Sequence, residues 1–504
     1  MLKTILKLIF ILSPAFVFAQ YPDQIEAALK KAGNNRPQLE KALKYSSDTK
    51  NELKLKAMEF LITNMDIHNT SDYYWEDASG QKIEYSELKY PDFEEAKNAF
   101  VKLKEQNPGI KPKSFISKDI ETIQADFLIK NLENAFKAWK ETELKNISFT
   151  DFCEYILPYR IDVEPLQEWR SIYSEKFKWI NKQISSKEFS QVLPYVKDDY
   201  EKWFTNTWGE QRKEPLPRLS ALQLLQRKQG PCPDIADLGV FIMRSQGVPA
   251  TVNVIPFWAT STGGHFMNTF FGDQMKEYYC DYGAKSFDEK LQREPSKVLR
   301  ITYSKNPNTL AAFEDSNNIP PGILQQENYI DVTKDFWDTR DVSCSLYQTQ
   351  KQSKIVYATT FNGLIWQPFW WGAIINNETV FTSLCKETVI IPQYFTNGKL
   401  IPAGPPLVIG QNDNKVLIPD LNQRRDIILA EKEKYLKFKL GVSYKLFYWQ
   451  DGWKIAGAHN VTTALSELKF EKVPKNALLL LVASDTKHLE RPFTIEDDGS
   501  RTWY

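Results

Sequence analysis

The spacing of apolar residues changes character twice along the chain. From about Tyr21 to Leu225 they recur at helical intervals among many charges. In NELKLKAMEFLITNM, Leu53, Ala57, Phe60, Leu61 and Met65 share one helical face. SKDIETIQADFLIKNLENAFKAWKE opens with Ser117 and Glu121, which read as a helix start, and carries a stripe from Ile120 to Trp139. SFTDFCEYILPYR predicts a short helix stopped near Pro158, with Cys153 inside it. From about Arg227 to Asn306 helix and strand patterns mix. After about Tyr329 the text turns to short strands rich in Val, Ile, Thr and aromatics: SKIVYATTFN, LIWQPFWWGAII, ETVFTSL, ETVIIPQYF and NKVLIPD. Two more strands flank Asp451-Gly452, a hairpin turn signal, and NALLLLVAS adds another.

These patterns predict an α+β, multidomain chain. A helical N-terminal region is expected over 20–214, a mixed α+β core over 215–325, a β-sandwich-like domain over 326–425 and a C-terminal β domain over 426–504. A length of 504 residues supports several cores. Lys+Arg and Asp+Glu balance at 64 each, with no basic half or tail. Nucleic acid and anionic membranes are therefore not expected partners. The opening MLKTILKLIFILSPAFVFAQ reads as a signal peptide over 1–19, cut before Gln20. Its apolar run falls short of the ~20 residues of a membrane span, and no later segment qualifies. The expectation is an exported protein, periplasmic or secreted, without a transmembrane anchor.

The five cysteines are few and odd in number, so cores rather than disulfides must hold the fold and at least one thiol is unpaired within the chain. Cys232 stands out in KQGPCPDIADLGVFIMRSQGVPA. Pro233 suits a first helical position. Asp234 and Asp237 favour the early turns of a helix. Ile235, Leu238, Ile242 and Met243 form an inward stripe. Arg244, Gly247 and Pro249 mark the end. Cys232 is thus expected at the N-cap of a helix of about 13 residues, where the helix terminus favours a thiolate. Its own N–H would serve as an oxyanion donor.

A base follows. The spacing predicts a strand over 251–257, a polar loop, and a hairpin of His265–Phe271 with Met275–Asp281 turning at Gly272-Asp273-Gln274. That turn would set His265 directly opposite Asp281, so that the carboxylate could orient the imidazole. Cys280 would point to the other face. His68, His459 and His488 lack such partners and read as core or surface residues. No metal site and no cofactor are expected.

Gly230-Pro-Cys232, Ala236, MRSQGVPA from Met243 to Ala250, Gly264-His265 and Asp281 occur in an order that resembles the transglutaminase-like superfamily, with its papain-like cysteine-enzyme core. The gaps of 33 residues (Cys232 to His265) and 16 (His265 to Asp281) are typical of it. The resemblance covers about 215–300; more loosely, the flanks look similar to large exported proteins of Bacteroidetes-type bacteria. Pro231 and Pro233 beside the cysteine, Phe266 after the histidine and Tyr282 after the aspartate depart from the family pattern. The resemblance implies catalytic Cys232, His265 and Asp281 working through a thioester on a peptide, protein or peptidoglycan-type amide, with hydrolysis favoured over cross-linking. Gln226, Gln229 and Trp208 are the candidates for a second oxyanion donor. The competing expectation is a non-catalytic glycan- or peptide-binding protein on the same scaffold. Its stacking platforms would be Trp366, Phe369, Trp370 and Trp371, with Phe447, Tyr448, Trp449 and Trp453, giving glycan contact through the C-terminal aromatics.

Overall fold

The computed structural model describes residues 21–207, 214–281, 291–347, 353–432 and 436–504. The leader expected over 1–19 lies outside these residues, as do Trp208 and Tyr282.

Helical periodicity is realised in most of the first two hundred residues. Asn51 caps helix Glu52–Asn64, its side chain accepting from the N–H groups of Leu53 and Lys54. Ser148 and Asp151 close a capping box on helix Phe149–Tyr155. The stretch opening at Ser117 differs from the expectation. β1 (Asn69–Glu76), β2 (Lys82–Ile83) and β3 (Lys111–Lys118) form an antiparallel sheet in the order β2-β1-β3, and Ser117 pairs with Thr70. A single short turn follows, and the main helix, α1, begins only at Ala125 and runs to Glu141. Cross-strand pairing of Thr70 with Ser117 and of Asn69 with Lys118 claims the residues expected to open the helix.

Next come α2 (Arg170–Lys176), α3 (Ala221–Arg227) and α4 (Cys232–Ser245). After them β4 (Ala250–Ile255), β5 (His265–Phe271), β6 (Glu277–Cys280), β7 (Leu299–Ile301) and β8 (Tyr329–Asp331) build an antiparallel sheet in the order β8-β7-β4-β5-β6. Helix α4 packs on β4 and β5. Ile235, Leu238, Ile242 and Met243 share a cluster with Val252, Val254 and Phe270. The expected inward stripe is in fact wider: every residue from Asp234 to Ser245 is buried. The cause is upstream. α1 and α2 lie against the same helix, and Trp169, Tyr173 and Phe177 belong to its cluster. A helix covered on all sides is apolar nearly all round.

The C-terminal part is strand-rich, as its alternation predicts. β9 (Thr339–Ser345) pairs with β12 (Glu378–Cys385); β10 (Ile355–Asn362) pairs with β11 (Ile365–Ala373) and β13 (Thr388–Thr396). Val342 and Phe381 of the first pair join Val356, Phe369 and Ile390 of the second set in one core. Further on, β14 (Ser443–Trp449) and β15 (Trp453–Asn460) form the hairpin expected around Asp451-Gly452, both residues having positive φ. Burial removes three of the eight platform candidates, while Trp370, Trp371, Phe447, Tyr448 and Trp453 are half-buried. Trp366, Phe369 and Trp449 are buried, and Phe361, Trp366, Trp449 and Trp453 pack on one another, mostly edge to face, at 5.2–6.5 Å between the two strand-rich units. These rings fill an internal seam, so they do not form an open stacking surface. Overall the chain is α+β and multidomain, and no helix among the described residues is long and apolar enough to cross a membrane.

Candidate active site

Cys232 is the first residue of α4, with Pro231 at the N-cap and Pro233 in the first turn. The sequence expectation is therefore off by one position. The N–H of Cys232 still lies in the first turn, where no helical carbonyl can accept from it. Asp234 and Asp237, expected to favour the early turns, are both fully buried. A side chain on Gly230 would sit 2.3 Å from Asp234 Oδ2, so glycine is required where the chain turns over that carboxylate. Asp237 pairs with Arg218 at 3.3 Å, and Arg218 also reaches Asp162 at 3.0 Å. Burial pushes the Asp237 carboxyl well up, with the Arg218 charge opposing it. The Arg218 guanidinium lies 4.4 Å over the ring of Phe266, next to His265.

The helix end behaves as read. Gly247 has φ +72°, and a Cβ there would strike the Ala138 carbonyl at 2.1 Å. Arg244 donates to the carbonyls of Tyr155, Arg160 and Ala250, tying the helix to the start of β4. Asn268 supplies a second tie. From the middle of β5 its amide donates to the Ala236 carbonyl at 2.8 Å, and Gly239 leaves the space it needs. Helix and strand are thus locked at a fixed offset.

His265 starts β5, pairs with Ile255 of β4, and meets Asp281 just beyond β6. Its Nε2 lies 2.9 Å from Asp281 Oδ1, and the Cys232 side chain is near enough to help raise the pKa of the same ring. With Nε2 engaged by the carboxylate, Nδ1 is the nitrogen left for sulfur. The hairpin register is not the one expected. The turn spans Gly272 to Lys276, with Gln274 and Met275 at positive φ, and Phe271 pairs with Glu277. The ladder is shifted by two residues, so Asp281 is a diagonal rather than a direct neighbour of His265. Both remain on one face, and the imidazole is long enough to span the diagonal. Cys280 points the other way, into the core beside the Tyr200 hydroxyl at 3.6 Å.

Electrostatics favours a charged ring. Burial acts to lower the His265 pKa. Hydrogen bonds to Asp281 and Cys232, together with their charges, outweigh it and raise the value to about 9. The Trp258 indole stacks on the imidazole at 5.8 Å and 25°. All five cysteines are free thiols, and Cys232 alone is not buried. Burial pushes Cys153, Cys280 and Cys344 up to about 12 and raises Cys385 as well. Of the other histidines, His68 is a core residue stacked on Tyr303 at 4.2 Å, and His488 is exposed.

Among the oxyanion candidates, Gln226 is committed elsewhere: its amide donates to the carbonyls of Glu87 and Tyr90. Gln229 is exposed, three residues ahead of Cys232. Sequence reasoning missed Trp258, Asn268, Arg218 and Asn362. Only Asn268 carried a signal, as the one amide in the apolar strand HFMNTFF.

No family model matches the chain, and no curated protein does. Among solved structures, that of a red sea bream transglutaminase is similar over 75% of this chain and 73% of its own, at 9% identity and a TM-score of 0.20. A likeness that slight carries no weight for fold or chemistry.

Proposed function

We propose that the chain is a cysteine-dependent acyl-transfer enzyme of transglutaminase-like type, with Cys232 as nucleophile, His265 as general base and acid, and Asp281 as the group that orients and charges the ring. The observation that carries this reading is the single imidazole paired with Asp281 at 2.9 Å and lying near enough to Cys232 for the thiol to raise its pKa. The Cys232 proton already rests on the charged His265 when sulfur bonds to an amide carbonyl carbon, and the oxyanion is met by the Cys232 N–H. The C–N bond breaks, His265 protonates the leaving amine, and a thioester remains. Water then attacks the thioester with His265 as base, releasing a carboxylic acid and restoring the thiol. An amine in place of water would give a new amide; hydrolysis of peptide or peptidoglycan-type amides is the favoured outcome. Export to the periplasm or beyond follows from the leader pattern ahead of Gln20.

Alkylation with iodoacetamide tests the core of the proposal. The folded protein should take one fast label, at Cys232, and the unfolded protein five. His265→Ala should slow the native label by at least about tenfold, the size expected of a positioned proton acceptor. Native labelling no faster than that of a free exposed thiol, or indifferent to His265→Ala, would refute it. Cleavage of peptide and peptidoglycan libraries, with Cys232→Ala as control, then identifies the substrate.

A further inference from the structure

The loop between β4 and β5 is written from outside the sheet that carries it. Asn362, the last residue of β10, comes from the strand-rich part of the chain about a hundred positions downstream. It is 6% exposed. Its side-chain amide donates to the carbonyls of Trp258 (3.1 Å), Ser261 (2.9 Å) and Gly263 (2.9 Å), while its Oδ1 accepts from the N–H of Gly263 at 3.0 Å. Two amide protons therefore serve three carbonyls, one proton being shared. The loop closes on itself through the Trp258 N–H to Gly263 O bond at 2.9 Å, and Thr360 of the same strand reaches Ala259 O at 3.4 Å.

This loop sets the ring of His265. Gly263 has φ +71°, and a Cβ on Gly264 would lie 2.5 Å from the carbonyls of both Ile255 and Pro256, so the chain enters His265 through a passage with no slack. Trp258, whose main chain Asn362 and Gly263 hold at both polar groups, is the residue stacked on the imidazole.

We infer that Asn362 is a positioning residue for the His265 imidazole, so that the strand-rich part of the chain completes the active site by fixing the loop that delivers the base. The inference rests on the reading of His265 as that base. An Asn side chain suits the task because it alone offers donors and an acceptor at once in this short reach. Asp would turn both donors into acceptors facing three carbonyls, and Ala would strip the Trp258 and Ser261 carbonyls and the Gly263 N–H of their Asn362 partner, leaving Gly263 O only the Trp258 N–H. Released from the loop, Trp258 no longer confines the ring, which then has the freedom to swing off Asp281. The titratable groups that face the ring are Asp281 and Cys232, so any such swing is visible in its titration.

The test compares Asn362→Ala and Asn362→Asp with Thr359→Val. Thr359 lies on the same strand, and its hydroxyl donates to Ile391 O at 2.8 Å without touching the loop, so it reports simple loss of a buried hydrogen bond. Two quantities are read: the titration midpoint of His265 by NMR, and hydrogen exchange of the Gly263 amide. In both Asn362 variants the midpoint should fall from about 9 by at least about one unit, and Gly263 exchange should rise at least about tenfold. Thr359→Val should change neither, though its melting temperature falls. A midpoint unchanged in the Asn362 variants, or shifted equally by Thr359→Val, overturns the inference. Failure of the catalytic reading is separately visible. A wild-type chain with no fast Cys232 alkylation, but whose His265 still shifts on Asn362 replacement, keeps the positioning role and loses only the acyl transfer.

Discussion

Asp281→Asn isolates the charge at the heart of the site. The amide oxygen can still accept from His265 Nε2 across 2.9 Å, so the geometry is largely kept while the negative charge goes. In the native site the His265 pKa stands at about 9 against an ordinary 6.5. That gap corresponds to about 3 kcal/mol in favour of imidazolium, at about 1.4 kcal/mol per unit. It is a net figure, because burial works the other way and Cys232 shares the gain. The ring is 19% and the carboxylate 33% exposed, so solvent screens the pair only in part. Removing the Asp281 charge should bring the His265 midpoint to about 7 or below, a fall of about two units. With only four histidines in the chain, NMR titration can follow each ring. The linkage has a definite sign. A histidine whose folded pKa is raised contributes stability that is complete below pH 6.5 and vanishes as pH climbs through about 9. The stability difference between native chain and Asp281→Asn should therefore shrink across that window. A midpoint within about half a unit of the native value, or a difference that grows with pH, would refute the charge argument.

Three further outcomes follow from buried polar groups. His68 is held neutral, chiefly by burial, with its pKa lowered to about 3, so its contribution is present above pH 6.5 and lost as pH falls below it; urea unfolding should show a shallower pH dependence between 6.5 and 4 in His68→Gln. Lys297 is wholly buried, bonded to Asp331 at 2.5 Å and to the carbonyls of Thr382 and Ser383, and lies 4.1 Å over Trp370; Lys297→Met should cost about 3–5 kcal/mol by denaturant unfolding, because it strands those acceptors. Gly239→Ala places a Cβ 2.8 Å from Asn268 Oδ1 and should cost about 1–3 kcal/mol while pushing α4 off β5, seen as a lower melting temperature and slower Cys232 alkylation.

Much of the architecture was legible because it is written locally. Strand alternation located β10 to β15, and apolar spacing and the Pro158 stop located the helices Glu52–Asn64 and Phe149–Tyr155. What stayed hidden depends on partners far away. Ser117 looks like a helix start until Thr70 pairs with it. Trp366 and Trp449 look like a platform until the two strand-rich units close over them. Asp234 and Asp237 look like first-turn ornaments until α1, α2 and Arg218 enclose the helix. Asn362 offers no signal at all, since its four bonds reach across about a hundred residues to main-chain atoms that carry no sequence identity.

The register of the β5–β6 hairpin shows why the meeting of His265 and Asp281 could be read while its geometry was misread. A turn of three residues was expected; the chain uses a longer one with two left-handed residues, Gln274 and Met275, that composition does not announce. The resulting slip is two positions. Because side chains alternate with period two, a slip of two leaves every residue on its expected face, whereas a slip of one would have sent Asp281 to the core side and brought Cys280 beside His265. The direct pair becomes a diagonal one, and the difference is absorbed by the reach of an imidazole and by Asp281 lying just past the end of the strand. The same logic gives a sharper trial than any substitution at the three residues themselves. Inserting one residue after the Gly272–Lys276 turn, with the turn itself kept, should invert the strand after it and abolish fast Cys232 alkylation. Inserting two, which restores parity and sets Asp281 directly opposite His265, should recover a measurable part of it. Equal loss in both insertions would mean that the turn, rather than the face on which the carboxylate stands, decides whether the ring is held.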